Sequence, residues 1–170
     1  MGTMTEHFVA IPMASDFIGN FRQVDEHIFA GAQPQIPEGI RELRDVYGIK
    51  SVVDLQQENA LEVQESLACT DLGVDLYSIP LPGVELFHEL PDKQVTMALA
   101  VLNNPDAWPV FVHCAHGADR TGAIIGIHRI DSGWTLKEAL TEMHRYHNAF
   151  LEWGMRDTVE DYLERRAKGK

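Results

Sequence analysis

The chain has 170 residues, of which 45% are hydrophobic and 24% charged, and its formal net charge is −12. This length suits one domain with a substantial core, and no apolar run approaches the roughly 20 residues of a membrane helix. The acidic charge argues against broad binding to nucleic acid or to anionic membranes, because both are attracted by basic surfaces. An anionic substrate must therefore be held by a local site.

Two cysteines, Cys69 and Cys114, are too few for a disulfide framework. The N-terminal sequence also lacks the basic and apolar segments of a signal peptide, so we expect a reducing, cytoplasmic setting. Residues 1–20, which end in a Gly19-Asn20 turn signal, are predicted to be irregular. Residues 21–170 are predicted to form one domain.

From Phe21 onward, short apolar runs alternate with longer helical patterns. The predicted strands are Val24–Ala30, Lys50–Leu55, Asp75–Ile79 and Val110–His113. The predicted helices are Pro37–Tyr47, Glu58–Leu72, Asp92–Leu102, Thr121–Ile130, Thr135–Tyr146 and Leu151–Arg166, with Thr135 and Glu138 at capping-box spacing. This alternation predicts an α/β fold with a mainly parallel central sheet of four to five strands flanked by helices.

The loop after the strand Val110–His113 carries the strongest functional signal, because ligands of such sheets bind beyond the carboxyl ends of the strands. It reads HCAHGADRTG from His113 to Gly122. Five residues between Cys114 and Arg120 can wrap their backbone N–H groups around a tetrahedral dianion at the positive end of the next helix. The residues predicted to line this cradle are Ala115, His116, Gly117, Ala118 and Asp119, together with Arg120.

The same cradle is expected to activate a nucleophile. A helix N-terminus and a nearby cation lower the pKa of a cysteine, so Cys114 is predicted to react as a thiolate. The planar guanidinium of Arg120 can grip two phosphate oxygens, and the hydroxyl of Thr121 can donate to the sulfur. Gly117 permits tight curvature, and His113 is expected to orient the loop through hydrogen bonds.

An isolated Cys and Arg at this spacing would ordinarily be a small buried side chain and a surface charge. The loop matches at four further positions, however, which are Gly117, Arg120, Thr121 and Gly122. The probability that all four occur by chance at these offsets from a given Cys is of the order of one in 10^5. The segment resembles the Cys-x5-Arg-Thr signature of the protein tyrosine phosphatase superfamily, in its compact dual-specificity form.

Flanking segments resemble the atypical plant-and-fungal type of dual-specificity phosphatase. They are Asn20-Phe21-Arg22-x-Val24, Gly31-Ala32-Gln33-Pro34, the run from Gly48 to Leu55, Ile79-Pro80-Leu81 and Leu102-Asn103-Asn104-Pro105. The resemblance implies a phosphomonoester hydrolase that forms a phosphocysteine and needs no metal or other cofactor. It implies as substrate either a phosphotyrosine or phosphoserine protein or, as in the phytase-like relatives, an inositol polyphosphate.

The loop departs from that type at His116, Ala118 and Asp119, where the plant and fungal members usually have basic residues. A highly charged inositol phosphate would find fewer cations here. Asp119, directly before Arg120, resembles the phosphoinositide phosphatases, in which that position has been assigned an acid role. The resemblance therefore leaves the substrate open.

The general acid also remains open between several residues. Related enzymes place an Asp about 30 residues before the nucleophile, and Glu85 lies 29 residues before Cys114. Asp119 and Glu85 are the leading candidates, with Asp92, His88 or solvent as further alternatives. The preferred expectation for Asp92 is that it caps the helix that follows Pro91.

Three other functions explain less of the sequence. A rhodanese-type sulfurtransferase usually has its Arg five positions after Cys, whereas Arg120 is six after Cys114. A catalytically weak phosphate-binding module would be expected to have lost one of these two residues, and a papain-like thiol hydrolase does not require the Arg-Thr-Gly sequence.

Cys69 is expected in the core, with a resolving thiol as the alternative. His144 and His147 lack further ligands for a metal.

Overall fold

The computed structural model describes residues 7–82, 89–146 and 152–169, with the backbone alone for 152–155. In these residues six strands form one sheet, in the order β1-β2-β3-β6-β4-β5. The strands are β1 Ile11–Pro12, β2 Arg22–Gln23, β3 Ile28–Ala32, β4 Ser51–Asp54, β5 Asp75–Ser78 and β6 Val110–Cys114. The last four of these strands are parallel, as predicted, while β1 and β2 add an antiparallel edge next to β3.

Helices connect the parallel strands and cover the sheet. They are α1 Glu38–Asp45, α2 Glu62–Leu72, α3 Asp92–Leu102, α4 Asp119–Asp131, α5 Leu136–Arg145 and α6 Glu152–Lys168. A parallel strand pair needs such crossovers, so the helices follow directly from the alternating sequence pattern. The predicted α/β class is confirmed, and the described sheet has one strand more than the upper end of the predicted range.

Alternation along the central strand β6 sends neighbouring side chains to opposite faces of the sheet. Val112 and Cys114 belong to an apolar cluster with the buried residues of α3, α4, α5 and α6. Phe111, the residue before Val112, belongs to a second cluster, which contains the buried residues of α1 and α2. This register turns the Cys114 side chain toward α4 and the His113 side chain toward α2.

The predicted boundaries hold to different degrees. The helix Asp92–Leu102 has the predicted limits, and the capping box of Thr135 and Glu138 is confirmed. The helix predicted from Glu58 begins at Glu62, and α4 begins two residues before the predicted Thr121.

Two expectations near chain ends and helix ends are wrong. The segment 1–20 was expected to be irregular, but Ile11–Pro12 forms strand β1, because the backbone of β2 offers it a partner. Asp92 does not cap α3: Pro91 is the N-cap, without a side-chain hydrogen bond. The carboxylate of Asp92 instead accepts a hydrogen bond of 2.6 Å from Arg165 of α6.

Among the described residues, no helix combines the length and the apolar character that crossing a bilayer requires.

Candidate active site

The loop of Cys114 lies at the carboxyl end of β6, the central strand of the parallel sheet. Cys114 is the last residue of β6 and is paired in register with Ala32 of β3. Helix α4 begins five residues later, at Asp119, so its positive N-terminal end faces the same edge of the sheet. The loop has the position and the following helix that an anion-binding site requires.

Gly117 gives the loop its shape for two reasons. Its φ of +68° lies in the left-handed region, which residues with a Cβ rarely adopt. A Cβ at this position would also lie 2.3 Å from the carbonyl carbon of Gly31. The loop therefore packs its backbone directly against the end of β3, and a larger residue would push it away.

The outward-facing carbonyl groups of the loop are held by neighbouring chain segments. The carbonyl of Ala115 accepts from the backbone N–H of Gln33 at 3.3 Å. The side-chain amide of Asn20 donates to the carbonyls of His116 and Gly117, at 3.4 and 3.2 Å. Because a trans peptide group is planar, a carbonyl held on the outside directs the next N–H to the other side of the chain. These contacts therefore favour the inward orientation of the loop N–H groups.

The loop favours ionisation of the Cys114 thiol. Burial of the sulfur opposes a charge, because the residue is 2% exposed. Hydrogen bonds from the hydroxyl and the N–H of Thr121, the positive charge of Arg120 and the N–H of Gly117 outweigh this cost. The pKa of Cys114 consequently lies below the ordinary value of a thiol.

Thr121 lies in the first turn of α4 and is completely buried. No oxygen or nitrogen of the described residues forms a hydrogen bond with its hydroxyl. The sulfur of Cys114 is the group on which that hydroxyl acts. Thr121 therefore has the position of a donor to a thiolate.

His113 faces the other side of the sheet and forms a buried polar cluster. Its Nε2 lies 2.9 Å from Oε1 of Glu65 on α2, and its Nδ1 lies 3.4 Å from the carbonyl oxygen of Cys114. Burial alone would lower the pKa of His113, but Glu65 and, more weakly, Asp54 outweigh it and raise that pKa. The protonated ring can then donate to Glu65 and hold the backbone at the start of the loop.

The same three side chains, Asp54, Glu65 and His113, bring one ligand atom each within 4.8 Å of the others. The hydrogen bond between His113 and Glu65 explains why these two lie close without an ion. All three are buried. This cluster is the set of described residues best placed to hold a metal, and its present contacts are those of a support for the loop.

Two of the candidate proton donors, Asp119 and Asp92, lie in the described residues. Asp119 is partly buried and occupies the first turn of α4, directly before Arg120. Asp92 is engaged by Arg165, as noted above, and is exposed. Glu85 and His88 lie outside the described residues.

The remaining sequence candidates lie away from the loop. Cys69 is 1% exposed and belongs to the apolar cluster on the face opposite Cys114, and burial raises its pKa to about 12. These observations favour its expected core position over a resolving thiol. His144 is exposed on α5, and its proposed metal partner His147 lies outside the described residues.

Sequence patterns did not identify four residues that support the loop: Asn20, Arg22, Asp54 and Glu65. Arg22 donates from Nη1 to the carbonyl of Gly117 at 3.0 Å and is 2% exposed. The segment around Asn20 and Arg22 resembles the plant-and-fungal type, but the contacts of these two side chains connect residues almost 100 positions apart. Glu65 carried no signal, since a Glu in a helix is ordinarily exposed.

A parallel sheet with a cysteine of lowered pKa at the end of its central strand, and an arginine in the first turn of the next helix, has the arrangement of a cysteine-dependent phosphatase. The family model described as "Tyrosine phosphatase family" matches residues 17–165. The chain belongs to this family.

Two relatives within this family are inositol diphosphatases. Inositol diphosphatase SIW14 of Saccharomyces cerevisiae is 32% identical over 129 residues, which are 75% of this chain and 45% of the relative. Inositol diphosphatase DSP4 of Arabidopsis thaliana is 30% identical over 128 residues, which are 75% of this chain and 63% of the relative. The chain thus spans about half to two thirds of the length of these relatives.

Solved structures give the same fold. The core catalytic domain of the PP-IP phosphatase SIW14 from S. cerevisiae, in complex with citrate, is similar with a TM-score of 0.70 and 28% identity. That similarity covers 89% of this chain and 92% of the other. TpbA of P. aeruginosa is similar in fold, with a TM-score of 0.71 at 21% identity over 90% of this chain and 89% of TpbA.

Proposed function

We propose that this chain is a cysteine-dependent phosphatase whose nucleophile is the thiolate of Cys114. In the first step the sulfur attacks phosphorus, an S–P bond forms, and the O–P bond to the leaving group breaks. In the second step water attacks the phosphocysteine, the S–P bond breaks, and inorganic phosphate leaves while the thiolate is restored. Residues 21–170 are proposed to act as one catalytic domain.

The proposed roles of the loop residues follow from what each can contribute to this reaction. The N–H groups of residues 115–120 bind the phosphate oxygens, and Arg120 grips two of them as their charge redistributes during transfer. Thr121 stabilises the sulfur as attacking thiolate and as leaving thiolate. His113, Glu65 and Asp54 hold the loop from the opposite face of the sheet.

The position of Cys114 carries the proposal: it lies at the end of β6, five residues before the start of α4, and Arg120 lies in the first turn of that helix. These surroundings lower the pKa of the buried Cys114 thiol. A buried structural cysteine has a raised pKa, as Cys69 does in the same chain. The difference has a local cause, because donors and a positive charge surround the sulfur of Cys114. A site that stabilises a thiolate in this way also stabilises a bound phosphate dianion.

We propose Asp119 as the first candidate for the proton donor to the leaving group, with Glu85 as its rival. Asp119 is supported by its place at the start of α4, beside the arginine that binds the phosphate. The alternative role of Asp119 is to orient Arg120 or the attacking water.

As the first substrate candidate we propose a diphosphoinositol phosphate, in which a diphosphate group is attached to the inositol ring. The second candidate is a phosphotyrosine protein. The inositol diphosphatases at 30–32% identity support the first choice. Such a substrate loses its terminal phosphoryl group from a phosphate oxygen, which is a weakly basic leaving group and needs little help from an acid. The net charge of −12 supports a small or peptide-borne phosphate over nucleic acid. The thiolate nucleophile supports a reducing, cytoplasmic setting.

The test compares Cys114→Ser with Cys69→Ser as matched control. Cys114→Ser should abolish turnover of para-nitrophenyl phosphate and still bind vanadate or phosphate, because the backbone cradle remains while the hydroxyl stays protonated. Cys69→Ser should retain turnover. Activity of Cys114→Ser near the native rate contradicts the covalent mechanism, and anion binding by an inactive native protein indicates a phosphate-binding module.

A second measurement ranks the substrates. We expect kcat/KM for a diphosphoinositol phosphate to exceed that for phosphotyrosine peptides and for phosphoinositides. The reverse order would assign the chain to protein substrates. Turnover of thiosulfate in place of any phosphate ester would indicate the sulfurtransferase alternative.

A further inference from the structure

Arg22 is a buried cation directly behind the phosphate loop. It lies on β2 and is 2% exposed. Its Nη1 donates to the carbonyl oxygens of Asn20 and Gly117, both at 3.0 Å. The guanidinium lies over the ring of Tyr146, with its central carbon 4.1 Å from the ring centroid.

The bond to Gly117 acts on the orientation of the loop. The carbonyl of Gly117 shares a peptide group with the N–H of Ala118, one of the groups proposed to bind the phosphate. Since that peptide is planar, a carbonyl fixed toward Arg22 turns the N–H of Ala118 the opposite way. Asn20 supplements this bond and also donates to the carbonyl of Tyr146 at 3.0 Å, which joins the loop to the end of α5.

The charge of Arg22 has an unusual environment. In the part of the chain that the structure describes, Arg22 forms no ion pair with a carboxylate, and its partners are neutral carbonyls and an aromatic ring. Burial lowers its pKa to about 10, partly opposed by electrostatic interactions with Tyr146, Glu142 and Cys114. At this pKa the guanidinium remains protonated at neutral pH, so a positive charge stays in the interior.

Attraction between two charges acts equally on both. Ionised Cys114 stabilises the charged form of Arg22, and Arg22 must therefore stabilise the thiolate. A negative charge on bound phosphate in the same loop would be stabilised in the same way. The low polarity of the buried surroundings strengthens such an interaction relative to one across water.

We propose that Arg22 is a positioning residue of the phosphate loop, which fixes the Gly117 carbonyl outward and places behind Cys114 a positive charge that forms no ion pair with a carboxylate of the described residues. The inference rests on the proposed function, because it assigns Arg22 to the same site. It differs from a purely structural role, in which Arg22 would join β2, the loop and α5 without affecting the ionisation of the sulfur.

The experiment measures the ionisation of Cys114 without requiring turnover. The rate of alkylation by iodoacetamide is followed against pH in Cys69→Ser protein, so that the reaction reports on Cys114. Arg22→Met, Arg22→Lys and Arg129→Lys are compared on this background. Arg129 is the matched control, because it is a second buried arginine, on α4, that is 3% exposed and paired with Glu142.

We expect Arg22→Met to move the alkylation midpoint to higher pH, because the thiolate loses a stabilising charge. We expect kcat/KM to fall about tenfold to a hundredfold, as for other residues that orient a reactive group from the second layer. Arg22→Lys should keep most of the midpoint, since it keeps the charge, and should lose kcat/KM because a single ammonium does not reproduce the rigid fork. Arg129→Lys should keep the native midpoint.

A folded Arg22→Met protein with the native midpoint and native kcat/KM overturns the inference. Should Arg22→Met fail to fold, Arg22→Lys decides through kcat/KM, and native kinetics in that variant overturn it. An equal shift of the midpoint in Arg129→Lys also overturns it, because the effect would then be one of general destabilisation. Failure of the proposed function is distinguishable, because an inactive native protein still gives an alkylation midpoint.

Discussion

Two buried arginines show how differently one residue type is used in this chain. Arg129 donates from Nε and Nη2 to the two carboxylate oxygens of Glu142, both at 2.8 Å, and lies 4.3 Å from the ring of Trp134. Arg22 contacts neutral carbonyls and the ring of Tyr146. The charge of Arg129 is neutralised where it lies, whereas the charge of Arg22 is available to the loop of Cys114.

The comparison explains why burial alone does not reveal a function. Both side chains are removed from water at a cost, and the ion pair with Glu142 offsets part of that cost for Arg129. Arg22 has neutral partners, and burial lowers its pKa to about 10. Within the described residues no carboxylate pairs with Arg22, so its charge can act on an anion that arrives with the substrate.

The largest expected effect is on Arg120, the arginine that the proposal places in contact with the phosphate. Arg120→Lys should lower kcat/KM by about 10^2 to 10^3, the range seen when one donor to transition-state charge is removed. It should also weaken vanadate binding, because an ammonium does not grip two oxygens. Steady-state kinetics and vanadate inhibition measure both. An Arg120→Lys effect smaller than that of Arg22→Met would reverse the assigned order of direct and supporting arginines.

The next effect concerns the leaving group. Asp119→Asn should slow hydrolysis of an alkyl phosphate by about 10^2 or more and change hydrolysis of an activated aryl phosphate little, because the alkoxide needs a proton. The alkyl-phosphate pH profile of Asp119→Asn should lose its basic limb, which reports the protonated acid. Glu85→Gln is the control. Loss of that limb in Glu85→Gln and its retention in Asp119→Asn would identify Glu85 as the donor.

Substitution of Arg129 should affect the stability of the fold. Arg129→Met leaves the buried carboxylate of Glu142 without its partner, so we expect the free energy of unfolding to fall by about 3–5 kcal/mol. Arg156→Met removes a mostly exposed partner of Glu160 and should change it by less than about 1 kcal/mol. Urea unfolding measures both. A small effect of Arg129→Met would show that its ion pair contributes little.

The sequence predicted the position of the Cys114 loop better than the contacts that support it. Cys114, Arg120 and Thr121 are neighbours along the chain, so their spacing carries the signal, and alternation around them predicted the parallel sheet. Local rules also located the capping box of Thr135. These features depend on residues a few positions apart.

The features that the sequence did not predict depend on contacts between segments that are distant along the chain. Arg22 donates a hydrogen bond to Gly117, 95 positions away. Asp92 accepts a hydrogen bond from Arg165, 73 positions away, and does not form the predicted helix cap. Strand β1 likewise exists because β2 lies beside it, and its two exposed residues carry little pattern of their own. Tertiary partners decide such cases, and a single sequence does not display them.

The central claim is that the sulfur of Cys114 carries the phosphoryl group, and its most direct test is to trap that intermediate. Native protein mixed with a rapidly cleaved aryl phosphate, quenched during turnover and digested, should give a peptide containing Cys114 with the added mass of one phosphoryl group. The label should be absent from Cys114→Ser. Turnover that leaves Cys114 unmodified while another residue carries the phosphoryl group would contradict the account.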